Sequence, residues 1–212
     1  MLFLCFSAPK GGFFVSRERQ IMNTKKITTK DLVVCGLFCA IAYVFTYIGR
    51  IIPQFQGFLS LDPKDSIIVI AGFALGPWAT VAISIVVAFI ESVSNSSTQL
   101  IGFIMNVISS VSFAFLPSLL YKKNRKFKTA IIGMLISTLI TIAVMLLWNY
   151  LITPIYQGVP RSVVAGMLLP VFLPFNAIKC AMNMVLVILL YKPFVKALRH
   201  MVLLNPSKKR KK

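Results

Sequence analysis

Two asparagines and a lysine, Asn149, Asn176 and Lys179, stand in the stretch 148–179, which otherwise reads as hydrocarbon-facing sequence. A cation at a bilayer centre costs about 2.5–3.5 kcal/mol even on a lenient insertion scale, so these groups need compensation. Asn176 and Lys179 are three residues apart and share one face of a helix, and Pro174 just ahead sets where that helix can begin. A third amide, Asn106, lies amid the apolar run 101–107. Amides offer both donors and acceptors, Lys179 offers donors only, and nearby aromatic faces stack on flat rings. The set suits a planar heteroaromatic compound with several carbonyls and hydroxyls and no strong positive charge. A cationic ligand would want an acid where Lys179 stands; a dicarboxylate would want arginine forks, for which only Arg50 and Arg161 are candidates. A plainer reading stays open, in which each buried Asn joins two helices and Lys179 snorkels to the outer surface.

Other chemistry is missing. There is no phosphate-cradling G-x-x-x-x-G-K-[S/T] loop, no dinucleotide glycine pattern, no Ser/His/Asp set and no H-E-x-x-H. His200 is the sole histidine and the four cysteines form no framework; Cys35, Cys39 and Cys180 read as small hydrophobes in apolar helices, so neither a metal centre nor an enzyme is expected.

The elements that must position the amides are membrane helices. The chain of 212 residues is 58% hydrophobic and only 13% charged, which is too apolar for a soluble domain of this size. Its formal charge of +18 would suggest nucleic acid, but placement decides otherwise: six basic residues precede residue 31, five lie in 122–128 and eight follow from Lys192, 19 of the 23 in all. That is how a membrane protein marks cytoplasmic loops, and a polybasic tail beside a bilayer meets anionic lipid rather than nucleic acid.

Taken in order, residues 1–24 read as a dispensable extension, with Met22 as an ordinary start. Spans are expected at about 32–52, 66–75, 78–93, 99–120, 129–152 and 171–191. The second has only ten residues, half of the ~20 that a crossing needs. Because the N-terminal segment and the loop 122–128 are both basic, an even number of crossings must separate them, and the short segment is therefore taken as a thin or tilted span ended by Gly76-Pro77. Glu91 reads as a carboxylate snorkelling at the outer interface, 53–65 as a polar and aromatic loop, and Trp148, Tyr150 and Tyr156 as part of an aromatic belt. Gly36 and Ala40 form a small-x-x-x-small pair on the first helix that permits close approach of another helix. The expected architecture is an all-α membrane protein of six transmembrane helices with both termini cytoplasmic, its domain at 25–199 and a basic tail at 200–212.

Several motifs together resemble the substrate-binding S components of energy-coupling-factor (ECF) vitamin transporters, most closely the riboflavin-specific branch. They are Phe58-Leu-Ser-Leu-Asp-Pro-Lys-Asp65 ahead of a short helix ending Phe73-Ala-Leu-Gly-Pro77, then Gly102-Phe-Ile-Met-Asn106, Asn149-Tyr150 with Thr153-Pro-Ile-Tyr156, and Leu173-Pro-Phe-Asn-Ala-Ile-Lys179. The resemblance covers about 25–195. It implies a six-helix protein of a bacterial cell membrane that captures riboflavin from outside, working with a transmembrane scaffold subunit and two cytoplasmic ATPases. It further implies that Asn106, Asn149, Asn176 and Lys179 hold the flavin and that Gly36 and Ala40 match the scaffold-docking motif, where the family more often has alanine at both places. Riboflavin would then be cargo, not a cofactor. Readings as an S component for another vitamin, a stand-alone facilitator or channel, or a membrane scaffold without a ligand remain open from the residues alone.

Overall fold

In the computed structural model, residues 29–51, 59–95 and 99–203 are described. The expectations for 1–24, for 53–58 of the loop 53–65, for Arg50 and Tyr156 side chains and for the tail from 200 lie wholly or largely outside the described residues. By internal contact the chain falls into Met1–Val34 and Cys35–Lys212. Of the first unit only the opening of helix α1 is described; the second unit contains every group considered below.

The described chain is helical: α1 (Thr29–Ile51), α2 (Lys64–Leu75), α3 (Pro77–Asn95), α4 (Gln99–Lys123), α5 (Phe127–Gln157), α6 (Arg161–Met167), a π-helical turn (Leu168–Phe172) and α7 (Leu173–Leu203). Among the described residues, five stretches are long and apolar enough to cross a membrane: Asp31–Gly49, Pro77–Ser94, Leu100–Lys123, Phe127–Ile155 and Arg161–Phe194. Side-chain placement agrees with a lipid setting. Large apolar residues such as Phe89, Leu139, Leu147 and Leu189 point outward, while Thr80, Ser84, Ser110, Ser118, Ser137 and Thr141 are buried. Without a hydrophobic drive between helices in lipid, small polar residues and close packing hold the bundle. Ser137, for example, donates from α5 to the Phe113 carbonyl of α4 at 2.8 Å.

The short second helix is wrapped by the rest of the bundle. It has 12 residues, and from Lys64 to Gly72 every one is buried. At about 1.5 Å per residue it is about 18 Å long against a hydrocarbon core of about 30 Å. It packs on α3, α4 and α7 and is shielded by them, so its apolar run answers to protein and not to lipid.

Two boundaries also shift. The expected fifth span ends near 152, but α5 continues through Pro154 to Gln157, where Gly158 at φ 66° makes the left-handed cap. Thr153-Pro154-Ile155 is thus the last part of a helix. The sixth span is expected from 171, yet helical backbone begins at Arg161 and runs through the π turn, which carries Pro170, into α7, where Pro174 is the second residue. Each proline lacks an N–H, and the wider turn absorbs the lost ladder bonds instead of ending the helix.

At the end of the bundle beside 122–128, Phe73, Tyr121, Phe127 and Tyr191 stack, with Tyr121 and Tyr191 hydroxyls 2.9 Å apart.

Candidate ligand-binding site

The site is built where residues 59–66 meet α7. Leu59, Val164, Phe172 and Phe175 form a buried apolar cluster, with Leu61, Leu146, Met167 and Val171 packed on it. Leu59 and Leu61 enter from the segment before α2, Val164 from α6, Phe172 from the π turn, Phe175 from α7 and Leu146 from α5. Asn149 follows Leu146 by three residues and so shares its face of α5, and Asn176 bonds the backbone of Phe172, so both amides border this cluster.

Both asparagines are buried, at 2% and 3% exposure. Each bonds within its own helix or the turn that leads into it. Asn149 Nδ2 donates to the Met145 carbonyl at 2.7 Å, and its Oδ1 accepts from Thr153 Oγ1 at 3.0 Å. Asn176 Nδ2 donates to the Phe172 carbonyl of the π turn at 2.7 Å. An amide nitrogen carries two N–H groups, and each of these bonds uses one. The arrangement fixes the rotamer of each amide and leaves donor capacity for a third party. These bonds do not link one helix to another, as the plainer reading required.

Lys179 does not snorkel. It is 8% exposed, and its ammonium lies 3.9 Å from Asp62 Oδ2 and 3.9 Å from Asp65 Oδ2. Both pairings are long, so the amine is held in place with reach to spare for a further acceptor.

Glu91 corrects its expected role. It is 6% exposed and pairs with the ammonium of Lys64, itself 1% exposed. The outer interface is where an unpaired carboxylate in a span would go; a lysine 27 residues away removes that need. Lys64 also lies 3.7 Å from Asp62 Oδ2, Ser60 Oγ donates to that same oxygen at 3.3 Å, and Ser110 Oγ of α4 donates to Asp65 Oδ1. Three of the chain's five acids and two of its lysines thus form one buried cluster.

Asn183 fastens the parts. Its Nδ2 donates to the Asp62 carbonyl and to the Lys179 carbonyl, both at 3.0 Å, and its Oδ1 accepts the Ser66 N–H at 2.8 Å. Opposite, Gly49 of α1 lies so close to this segment that a Cβ there would stand 2.6 Å from the Leu61 carbonyl and 2.8 Å from Pro63 Cδ. Only glycine permits that approach.

Asn106 is half-buried on α4, one turn before Ser110, and so lies on the face that reaches Asp65. Gly36 and Ala40 are exposed on α1, away from the buried line Phe38, Ala42, Thr46 and Gly49, and a Cβ at Gly36 would meet nothing within 4 Å. Of the aromatic residues singled out, Tyr150 is 38% exposed, while Trp148 is half-buried with its indole N–H shielded and unbonded. The structure adds Asp62, Lys64, Asp65 and Asn183 to the groups around Lys179. A signal existed for Asn183, since 176, 179 and 183 make a polar stripe at i, i+3 and i+7.

Comparison with known proteins agrees with this architecture. The chain is 29% identical over 177 residues to a riboflavin transporter, RibU, of Staphylococcus aureus (strain TCH60), spanning 77% of this chain and 89% of the relative. Its fold is similar to that of a solved protein described as the S component of a bacterial ECF transporter, with TM-score 0.68 and 29% identity over 80% of this chain and 97% of that one. The model of the family "ECF transporter, substrate-specific component" matches residues 30–191. On that match this multi-pass bacterial membrane protein belongs to the substrate-specific components of ECF transporters.

Proposed function

We propose that the protein captures riboflavin at the outer face of the membrane and hands it on through ATP-driven uptake by a separate coupling module. The observation that carries the reading is Lys179, a cation buried at the junction of α7 with residues 62–65 and held by two long ion pairs, beside Asn176 on the same helix face. In a family of transport components, a preset donor beside buried amides and an apolar, aromatic wall matches a flat neutral ring bearing carbonyl groups. The likeness to a riboflavin transporter favours a flavin over other heteroaromatic nutrients.

In this reading Asn149, Asn176 and Lys179 hydrogen-bond the flavin, with Asn106 contributing from α4. Riboflavin is cargo and undergoes no chemistry here. Leu59, Leu61 and Phe172 lie over the apolar part of the ring. The short α2 supplies the sixth crossing within its protein sheath, which puts both termini in the cytoplasm and the basic turn 122–128 against anionic lipid. The domain runs over 25–199, with 1–24 dispensable and 200–212 a basic tail. Gly36 and Ala40, exposed on α1, give a transmembrane scaffold subunit a place to dock, and two cytoplasmic ATPases drive the cycle.

Titration calorimetry of the purified protein against riboflavin tests the reading. Wild type binds; Asn176→Ala and Lys179→Ala each weaken binding at least about tenfold, the loss expected for a charged or buried hydrogen bond. A folded wild type without detectable binding discards riboflavin. Unchanged affinity in both variants discards the site.

A further inference from the structure

Taking the site as the riboflavin site proposed above, we infer that Asp62 is a further ligand-contacting residue, whose Oδ1 accepts a hydrogen bond from an N–H or O–H group of the bound flavin.

The side chain is 2% exposed, and its two oxygens are treated unequally. Ser60 Oγ, Lys64 Nζ and Lys179 Nζ all approach Oδ2, at 3.3, 3.7 and 3.9 Å. Oδ1 is shielded from the surface and has no hydrogen-bond partner among the described residues. Buried acceptors of a charged group are normally satisfied, and one left open is costly.

A role as a helix cap does not account for it. Asp62 stands just before α2, where a carboxylate could bond the free N–H groups of the first turn. The Ser66 N–H is instead taken by Asn183 Oδ1 at 2.8 Å and the Pro63 carbonyl at 3.2 Å. Formal charge points the same way. Asp62, Asp65 and Glu91 face Lys64 and Lys179, so the cluster carries one negative charge in excess, and Glu91 occupies Lys64.

Position makes the ligand the natural donor. Asp62 Oδ2 is 3.9 Å from the Lys179 amine, and Leu59 and Leu61 on the same segment belong to the apolar wall. A flavin that meets Lys179 with a carbonyl therefore has its neighbouring groups within reach of Asp62. Riboflavin offers two kinds of donor, the N3–H imide and the ribityl hydroxyls. Lys179 and Asp62 together would read a carbonyl next to a donor, a pairing that neither the amides nor the lysine alone can enforce.

The test measures affinities of wild type, Asp62→Leu and Asp62→Asn for riboflavin, 3-methylriboflavin, which lacks the N3–H, and lumiflavin, which lacks the ribityl hydroxyls, with melting curves of the ligand-free proteins alongside. Asp62→Leu is expected to lose riboflavin affinity by about 10- to 100-fold, and Asp62→Asn, which keeps one acceptor without the charge, by less. The loss disappears with one analogue: with 3-methylriboflavin if the imide is the donor, with lumiflavin if a hydroxyl is. Unchanged riboflavin affinity in Asp62→Leu overturns the inference, as does an equal loss for all three flavins, which would mark a purely structural residue. Where Asp62→Leu does not fold, Asp62→Asn decides by the same criteria. A wild type that binds no flavin overturns the riboflavin reading and this inference with it, whereas a binding wild type matched by its variants overturns Asp62 alone.

Discussion

Lys64 and Glu91, 27 residues apart in sequence, form an ion pair buried between the start of α2 and the end of α3. Removing one partner from such a pair leaves an uncompensated charge in a medium that solvates it poorly. Glu91→Leu is therefore expected to destabilise the protein by about 3–5 kcal/mol, and Lys64→Met by a similar amount. The double variant should recover much of the loss, since a neutral apolar pair of similar volume carries no desolvation penalty. Thermal melting of the four proteins in one detergent checks this; a double variant no better than the singles would contradict it.

Asn183 joins α7 to the segment before α2 through three hydrogen bonds. Asn183→Leu leaves the Asp62 carbonyl without that donor and takes away the shorter partner of the Ser66 N–H, at about 1–3 kcal/mol for each buried group left unmade. Lower melting temperature and faster amide exchange at residues 62–66 are expected, with riboflavin affinity falling because Lys179 and Asp62 lose their mutual register. Unaltered exchange there would show that the segment is held by other contacts.

Gly49 sits against the Leu61 carbonyl and Pro63. Gly49→Val must push that segment away, and neither a backbone carbonyl nor a proline ring yields as a flexible side chain does. The variant is expected to lose about 1–3 kcal/mol of stability, the usual cost of overpacking, and to bind riboflavin more weakly. Equal affinity with reduced stability would separate the α1 contact from the site.

Gly36 has open space around it and lies apart from the ligand groups. Gly36→Trp should leave riboflavin binding unchanged while abolishing uptake in membranes that contain the coupling module, because bulk on a small-residue face blocks helix approach. Loss of binding in the isolated variant would place its effect on folding instead.

Sequence alone determined the solvent and the helices, and it singled out several groups of the proposed site. Spans of apolar residue types, with basic residues concentrated outside them, leave only a bilayer as the medium, and the motif from Leu173 to Lys179 marked the face on which Asn176 and Lys179 stand. The helix of Asn149 was legible for the same reason, although its end was not: Pro154 and Pro174 look like stops in a string of residues, while the packed bundle carries helical backbone through one and a π turn up to the other. Hydropathy also cannot tell lipid from protein as the cover of an apolar run, and so the burial of α2 from Lys64 to Gly72 by the other helices was not legible in its sequence. What only tertiary structure decided was which charge meets which. Glu91 taken alone belongs at an interface, and Asp62, Lys64 and Asp65 taken alone belong in a solvated loop. Folding brings residues of α2, α3 and α7 to within an ion pair of one another, and in a dry interior the choice of partner, set by geometry across 27 residues or more, outweighs the preference of each residue for water.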